Sequence, residues 1–232
     1  MSQSCNEYAM SDYCYKIFNA CFLHPFNMTI GGPTQAGKST FIFNLLKNKS
    51  RLIDKDVHYI VLFHGQETNL HRELATLFKD QIVIVEGLPE SFDSYIKPNL
   101  NGLFVFDDMF DVAYDSKMLT NMICKQSHHE SISTIVVTHN VFADGKQRKN
   151  MWRNNHYLVL MKNKLDMSVP HTLASRLMPK NRKTFINIFE KATSRSYGYL
   201  VIDGHPLSIP EVKYRTNIFE DHQIIFIPTV KV

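Results

Sequence analysis

The stretch Ile30 to Phe41, IGGPTQAGKSTF, decides the fold. Within it Gly32-Pro33-Thr34-Gln35-Ala36-Gly37-Lys38-Ser39 satisfies the eight-position pattern Gly-x4-Gly-Lys-[Ser/Thr], and Thr40 follows. The apolar run PFNMTI (Pro25 to Ile30) comes before it, bounded by Pro and Gly, and reads as a strand. After it Phe41, Ile42, Leu45 and Leu46 recur at helical spacing. Strand, glycine loop, helix is the context that a phosphate cradle needs. The glycines let backbone N–H groups curl around phosphate oxygens, and the helix N-terminus adds its dipole. Lys38 is expected to reach the β- and γ-phosphates and Ser39 to ligate Mg²⁺. The expected nucleotide-binding set is Gly32, Pro33, Thr34, Gln35, Ala36, Gly37, Lys38, Ser39 and Thr40.

Outward from the cradle, strands and helices alternate. HYIVLF (His58 to Phe63), QIVIVEG (Gln81 to Gly87), LFVFDD (Leu103 to Asp108), ISTIVVTHN (Ile132 to Asn140), HYLVLM (His156 to Met161) and GYLVID (Gly198 to Asp203) read as strands. Leu70, Leu74, Leu77 and Phe78 mark one helix. Met118, Leu119, Met122 and Ile123 mark another, with Ser116 as its N-cap. Two short helices are expected near Pro170 to Met178 and Arg182 to Ala192. This alternation implies an α/β fold, a mostly parallel sheet with helices on both faces. Ligands of such sheets gather at the carboxyl ends of the strands. The first residues read as irregular, with weak helical character from Tyr13 to Phe22, and the closing QIIFIPTVKV is β-prone. The expected organisation is an extension over 1–24, a P-loop domain over 25–220 and a tail over 221–232.

The 232 residues suit one domain and bury a full α/β core. The net charge of +4 is compatible with a polyanionic partner without identifying one. Cys5, Cys14, Cys21 and Cys124 form no Cys-x-x-Cys pair, so they read as free thiols in a reducing compartment. His128 and His129 have no Cys or acid at ligand spacing. No apolar run approaches a membrane span, and the N-terminus lacks the pattern of a signal peptide. The expectation is an intracellular protein that is not secreted and has no membrane partner.

The acid pair of LFVFDD supplies the rest of the chemistry. Asp107 fits the Mg²⁺ side, and Asp108 is placed to orient or deprotonate a water, as a hydrolase needs. A rival signal is Asn163-Lys164-Leu165-Asp166, which matches the Asn-Lys-x-Asp signature by which GTPases read guanine. GTPases pair it with Asp-x-x-Gly after the metal-side strand. Here that place reads Asp107-Asp108-Met109-Phe110. The chain carries no Leu-Ser-Gly-Gly-Gln-like signature, and no segment stands out as a kinase lid. VVTHN puts Thr138, His139 and Asn140 at the end of the next strand, where a polar group can touch the γ-phosphate or the attacking water. His139 is the sensor candidate.

Taken in order, these stretches resemble the FtsK/HerA-type genome-packaging ATPases of eukaryotic DNA viruses, the poxvirus-like and Polinton- or adintovirus-like group. The resemblance rests on HPF (His24 to Phe26), GGPTQAGKST (Gly31 to Thr40), VEGLP (Val85 to Pro89), FVFDDMF (Phe104 to Phe110) and SHH (Ser127 to His129). It continues through NHYLVLMKN (Asn155 to Asn163), ATSRSYGYLVID (Ala192 to Asp203) and YRTNIF (Tyr214 to Phe219). The resemblance implies a RecA-like core that works as a homo-oligomeric ring of about five or six copies, hydrolysing ATP to drive double-stranded DNA into a preformed capsid. It implies a capsid vertex as a further partner and an infected host cell, with virion association, as the place of action. Lys38, Ser39, Asp107 and Asp108 carry over as site residues, and Asn140 matches by identity. The family usually shows Gln-Asn where this chain has His139-Asn140, and a KNPRD-like segment where it has KNKLD.

A ring motor also implies an arginine donated into the neighbour's site, offsetting charge on the transferred phosphate. GKQRKNMWRNNHY offers Arg148, the favoured candidate, and Arg153. Lys146, Arg148 and Lys149 form a small basic cluster that suits phosphate contacts without sequence reading, so Lys146 and Lys149 are DNA-contact candidates. Trp152 reads as a packing anchor. The resulting expectation is an ATP-driven DNA translocase. The alternatives are a GTP-binding switch using Asn163 to Asp166 and a nucleotide-bound accessory module without motor work.

Overall fold

The computed structural model describes residues 8–9, 13–109, 116–139, 141–142 and 148–229. Its strands are β1 (Tyr8–Ala9), β2 (Tyr13–Ile17), β3 (Asn27–Gly31), β4 (Tyr59–His64), β5 (Ile82–Glu86), β6 (Gly102–Asp107), β7 (Ile132–Thr138), β8 (Tyr157–Met161), β9 (Tyr199–Asp203), β10 (Tyr214–Thr216) and β11 (Ile224–Pro228). Among the described residues they form a single sheet in the order β1-β2-β11-β10-β9-β8-β3-β7-β6-β4-β5. The six strands from β8 to β5 run parallel, and the five from β9 to β1 run antiparallel.

The helices are α1 (Lys38–Lys47), α2 (Lys49–Leu52), α3 (Asn69–Phe78) and α4 (Lys117–Asn121). The last runs through a π-helical turn (Met122–Gln126) into α5 (Ser127–His129), followed by α6 (Arg148–Arg153), α7 (Ser168–Leu177) and α8 (Arg182–Ala192). Ser116 caps α4 as its position predicts, its hydroxyl accepting from the Leu119 N–H at 3.1 Å.

Near-continuous apolar strands bury both faces of the parallel block. On one face Ile30, Leu62, Val105 and Val137 pack under Phe41, Ile42 and Leu45 of α1 and Leu74 of α3. On the other, Phe63, Phe104, Phe106 and Val136 pack against Leu119, Met122 and Ile123. The antiparallel half has its own layer, where Leu158, Leu200 and Phe226 meet Leu173 of α7 and Phe185 and Phe189 of α8.

One expectation fails. Tyr13 to Phe22 carries no helix: Tyr13–Ile17 is β2, antiparallel to β11. Its Tyr-rich composition is β-prone, and a distant partner supplies the ladder that a local reading cannot see. Tyr13 meets Phe226 edge-on at 5.6 Å. The β-prone character of the C-terminal segment is realised in β11.

Candidate functional site

β3 leads straight into the phosphate loop. Gln35 and Gly37 take left-handed φ values of 62° and 97°, which curls the chain before α1 begins at Lys38. Gly37 is the N-cap residue and the one glycine of the loop in the left-handed region, where an L side chain is strained. Lys38 is buried. Its Nζ donates to the carbonyls of Gly32 and Pro33, both at 2.8 Å, and lies 3.2 Å from Nδ1 of His139. Burial holds the ammonium below the ordinary lysine pKa, against the opposing pull of Asp107 and Asp108.

The strand order explains the company Lys38 keeps. β7 lies between β3 and β6, so the end of β7 stands between the phosphate loop and the acid pair. His139 therefore bridges the two. A lysine ammonium only donates, so Nδ1 of His139 accepts and Nε2 carries the proton. That Nε2–H points at Oδ1 of Asp108, 3.3 Å away. Asp108 sits at φ 54° directly after β6, and Gly65 makes room for it. A Cβ on Gly65 would stand 2.6 Å from the Asp108 carbonyl oxygen.

Asp107 is buried and held from a different direction. His71, in the first turn of α3, lies with Nε2 3.2 Å from Oδ2 of Asp107. Its Nδ1 accepts from the Thr68 N–H at 3.3 Å, part of the capping box of α3. That acceptance fixes the tautomer, so Nε2–H donates to the carboxylate.

Lys38, Ser39, Asp107, Asp108 and His139 thus line one cavity of about 550 Å³, with Thr34, Gln35, Gly37 and Thr40 at its loop side. Pro33 and Ala36 line an adjoining cavity of about 840 Å³ on the opposite side of the loop. Ser39 and Asp107 present oxygen donors to the first cavity, the donor set that suits a hard cation such as Mg²⁺.

The remaining expected residues are dispersed. Asn140 and Lys146 lie outside the described residues. Arg148 opens α6, but its side chain is outside them too. Lys149 and Arg153 are exposed on α6 and line neither cavity. The helix leads away from the site: Asn27 Nδ2, at the amino end of β3, donates to the Asn154 carbonyl at 2.9 Å. Arg153 therefore sits at the far end of β3 from the phosphate loop. Trp152 packs with Phe142, ring centroids 5.3 Å apart, and Arg176 lies over both rings.

The guanine-reading segment is engaged locally. Asn163 Oδ1 accepts from the Leu165 N–H at 3.0 Å, and Asp166 Oδ1 accepts from the Ser168 N–H at 2.7 Å. Asn163 lines the adjoining cavity but Asp166 does not, so the acid of that signature serves the start of α7.

Sequence reading missed His71, Gly65 and Tyr197. Gly65 had a legible signal, since it directly follows the apolar run of β4; His71 lies six residues further on, in the first turn of α3, where nothing in the sequence ties it to Asp107. Tyr197 belongs to the quoted SRSYG stretch but had no assigned role.

At the level of sequence, no protein-family model and no curated protein matches the chain. Solved structures do match. One is the genome-packaging NTPase B204 of Sulfolobus turreted icosahedral virus 2 in complex with ATP-γS: TM-score 0.52, 12% identity, over 77% of this chain and 92% of that one. Another is B204, described as the DNA-packaging ATPase from Sulfolobus turreted icosahedral virus: TM-score 0.51, 12% identity, over 78% and 94%. A third is the cytoplasmic domain of the type VII secretion ATPase EccC of Thermomonospora curvata: TM-score 0.51, 11% identity, over 88% of this chain and 25% of that one. At these identities the likeness establishes the fold, a RecA-like P-loop NTPase core.

Proposed function

We propose that this chain is an ATPase motor of the FtsK/HerA type. In this reading it works as a homo-oligomeric ring in an infected cell and drives double-stranded DNA into a preformed capsid. The observation that carries the reading is the row Lys38–His139–Asp108, which links a phosphate cradle to an acid suited to activating water. A fold shared with two structures described as genome-packaging enzymes supports it. Asp166 is tied up at the start of α7, which weighs against a guanine switch.

The proposed chemistry follows from the contacts. When ATP enters, Lys38 exchanges its two carbonyls and His139 for the β- and γ-phosphates. The buried ammonium then meets a full counter-charge in place of neutral acceptors. His139, freed at Nδ1, holds Asp108 through Nε2–H. Asp108 accepts a proton as water attacks the γ-phosphorus. The new P–O bond forms on the side opposite the bond to the β-phosphate oxygen, which breaks and releases ADP. Ser39 and Asp107 would hold Mg²⁺, which supplies charge neutralisation on the phosphates. His71 keeps one Asp107 oxygen occupied, so the carboxylate has one orientation. An arginine from the neighbouring subunit, Arg148 in this reading, completes the charge on the far side.

The test is steady-state hydrolysis of ATP and GTP with and without double-stranded DNA, at high protein concentration. ATP turnover stimulated by DNA is expected. Asp108→Asn should retain ATP-γS binding and lose turnover. GTP preference with no response to DNA would sink the motor reading in favour of a switch.

A further inference from the structure

The phosphate loop has two flanks. On the His139 side the cavity is bordered by the half-exposed pair of His139 with Asp108. On the other side it opens into the adjoining cavity, walled by Ala36, Met161, Leu165 and Tyr197. The loop between α8 and β9 builds that wall. β9 runs antiparallel to β8, with Tyr199 opposite Met161, so this loop stands at the carboxyl ends of the parallel strands, beside the cradle.

Tyr197 is unusual within it. It is 72% exposed and takes a left-handed φ of 59°, a conformation uncommon for a bulky residue. Its ring leans on Gly37, where a Cβ would come within 3.0 Å of Tyr197 Cδ1. The same side chain borders both cavities. A large aromatic face is therefore held at the border between the phosphate cradle and the adjoining cavity, which Lys162, Lys164 and Arg195 also line. Strained backbone of this kind gathers at ligand sites.

We propose that Tyr197 is the platform on which the base of the bound nucleoside triphosphate stacks. This inference rests on the nucleotide-binding part of the reading above and is independent of its DNA part. Phosphates anchored at Lys38 direct the nucleoside toward the open flank, and the Tyr197 face meets the base there. Stacking uses the π-face that every base presents, so Tyr197 contributes affinity without reading base edges.

The experiment is calorimetric titration of the full chain with ATP-γS and, separately, with inorganic tripolyphosphate, which has no base. Tyr197→Ala is expected to weaken ATP-γS about tenfold and leave tripolyphosphate unchanged. Tyr197→Phe, which keeps the ring, should bind both as wild type does. Unchanged ATP-γS affinity in Tyr197→Ala would overturn the proposal. An equal loss for tripolyphosphate would also overturn it, by making Tyr197 a support of the loop. No DNA is present, so a chain that fails the DNA-stimulation test can still show the Tyr197 effect, and the two readings fail separately.

Discussion

Replacing Gly65 by Ala should separate catalysis from binding. The added methyl would stand 2.6 Å from the Asp108 carbonyl oxygen, a backbone atom, where ordinary contact begins near 3.4 Å. Asp108 must then retreat by about 0.8 Å, or the end of β4 must move away from β6 by as much. Movement of β4 is resisted by the Gly65 N–H, which donates to the Asp107 carbonyl at 3.2 Å. A misplacement of about 1 Å at a reacting group can cost about a hundredfold. Turnover is therefore expected to fall by about 30- to 100-fold, or about 2–3 kcal/mol in the barrier. Lys38 and the loop are untouched, so ATP-γS affinity should stay within about twofold of wild type. Steady-state hydrolysis and calorimetric binding on the same preparation decide the matter. Full turnover would refute the claim that this contact fixes Asp108. A parallel loss of binding would refute the assignment of the effect to Asp108.

Three further outcomes are expected. His71→Ala should raise the Mg²⁺ concentration for half-maximal turnover by about tenfold and leave Mg²⁺-free nucleotide binding unchanged, read by titrating Mg²⁺ in both assays. His156 has its pKa lowered to about 4, through burial first and then His205 and His128, while Nδ1 accepts from the Asn27 N–H. The unfolded chain therefore takes up a proton near pH 6.5 that the folded chain refuses until about 4. Stability is expected to fall by about 1–2 kcal/mol, discounted for partial exposure, as pH drops through that window; urea unfolding at pH 7 and 5 measures it, and His156→Gln should flatten the slope. Arg215 is fully buried, bonded to Asp203 at 2.8 Å and stacked 5.0 Å from the Phe22 ring centroid. Arg215→Leu strands the Asp203 carboxylate and should cost about 3–5 kcal/mol by urea unfolding, with Asp203→Leu in the same chain recovering much of it.

The parallel block was legible because each of its strands is a continuous apolar run, and its chemistry follows those runs in sequence. Lys38, Ser39, Asp107, Asp108 and His139 stand out in the sequence, since each ends or directly follows an apolar strand or opens the first turn of a helix. Their mutual contacts do not. That His139 stands between Lys38 and Asp108 depends on β7 inserting between β3 and β6, an order that the strand sequence does not state. His71 reaches Asp107 from another helix across the sheet edge, a distance of 36 positions in the chain. The antiparallel half was read least well, because β2 has only the two-residue β1 beside it until β11 supplies a full ladder.

That pairing bears on how the protein is made. Tyr13 and Pro228 are partners in the ladder between β2 and β11, so two segments far apart in sequence close on each other. On the ribosome β2 emerges early and, with β1 on one edge, must wait with its other edge open until β11 has been translated. The nucleotide half can assemble in the meantime, since β3 to β8 and their helices lie between. β9 and β10 follow, and β11 comes after them. Such late, long-range pairing is slow to form and leaves strand edges open to other chains. A chain whose β11 has yet to emerge presents the open edge of β2 to its neighbours, so β11 decides whether nascent chains finish their own sheets or one another's.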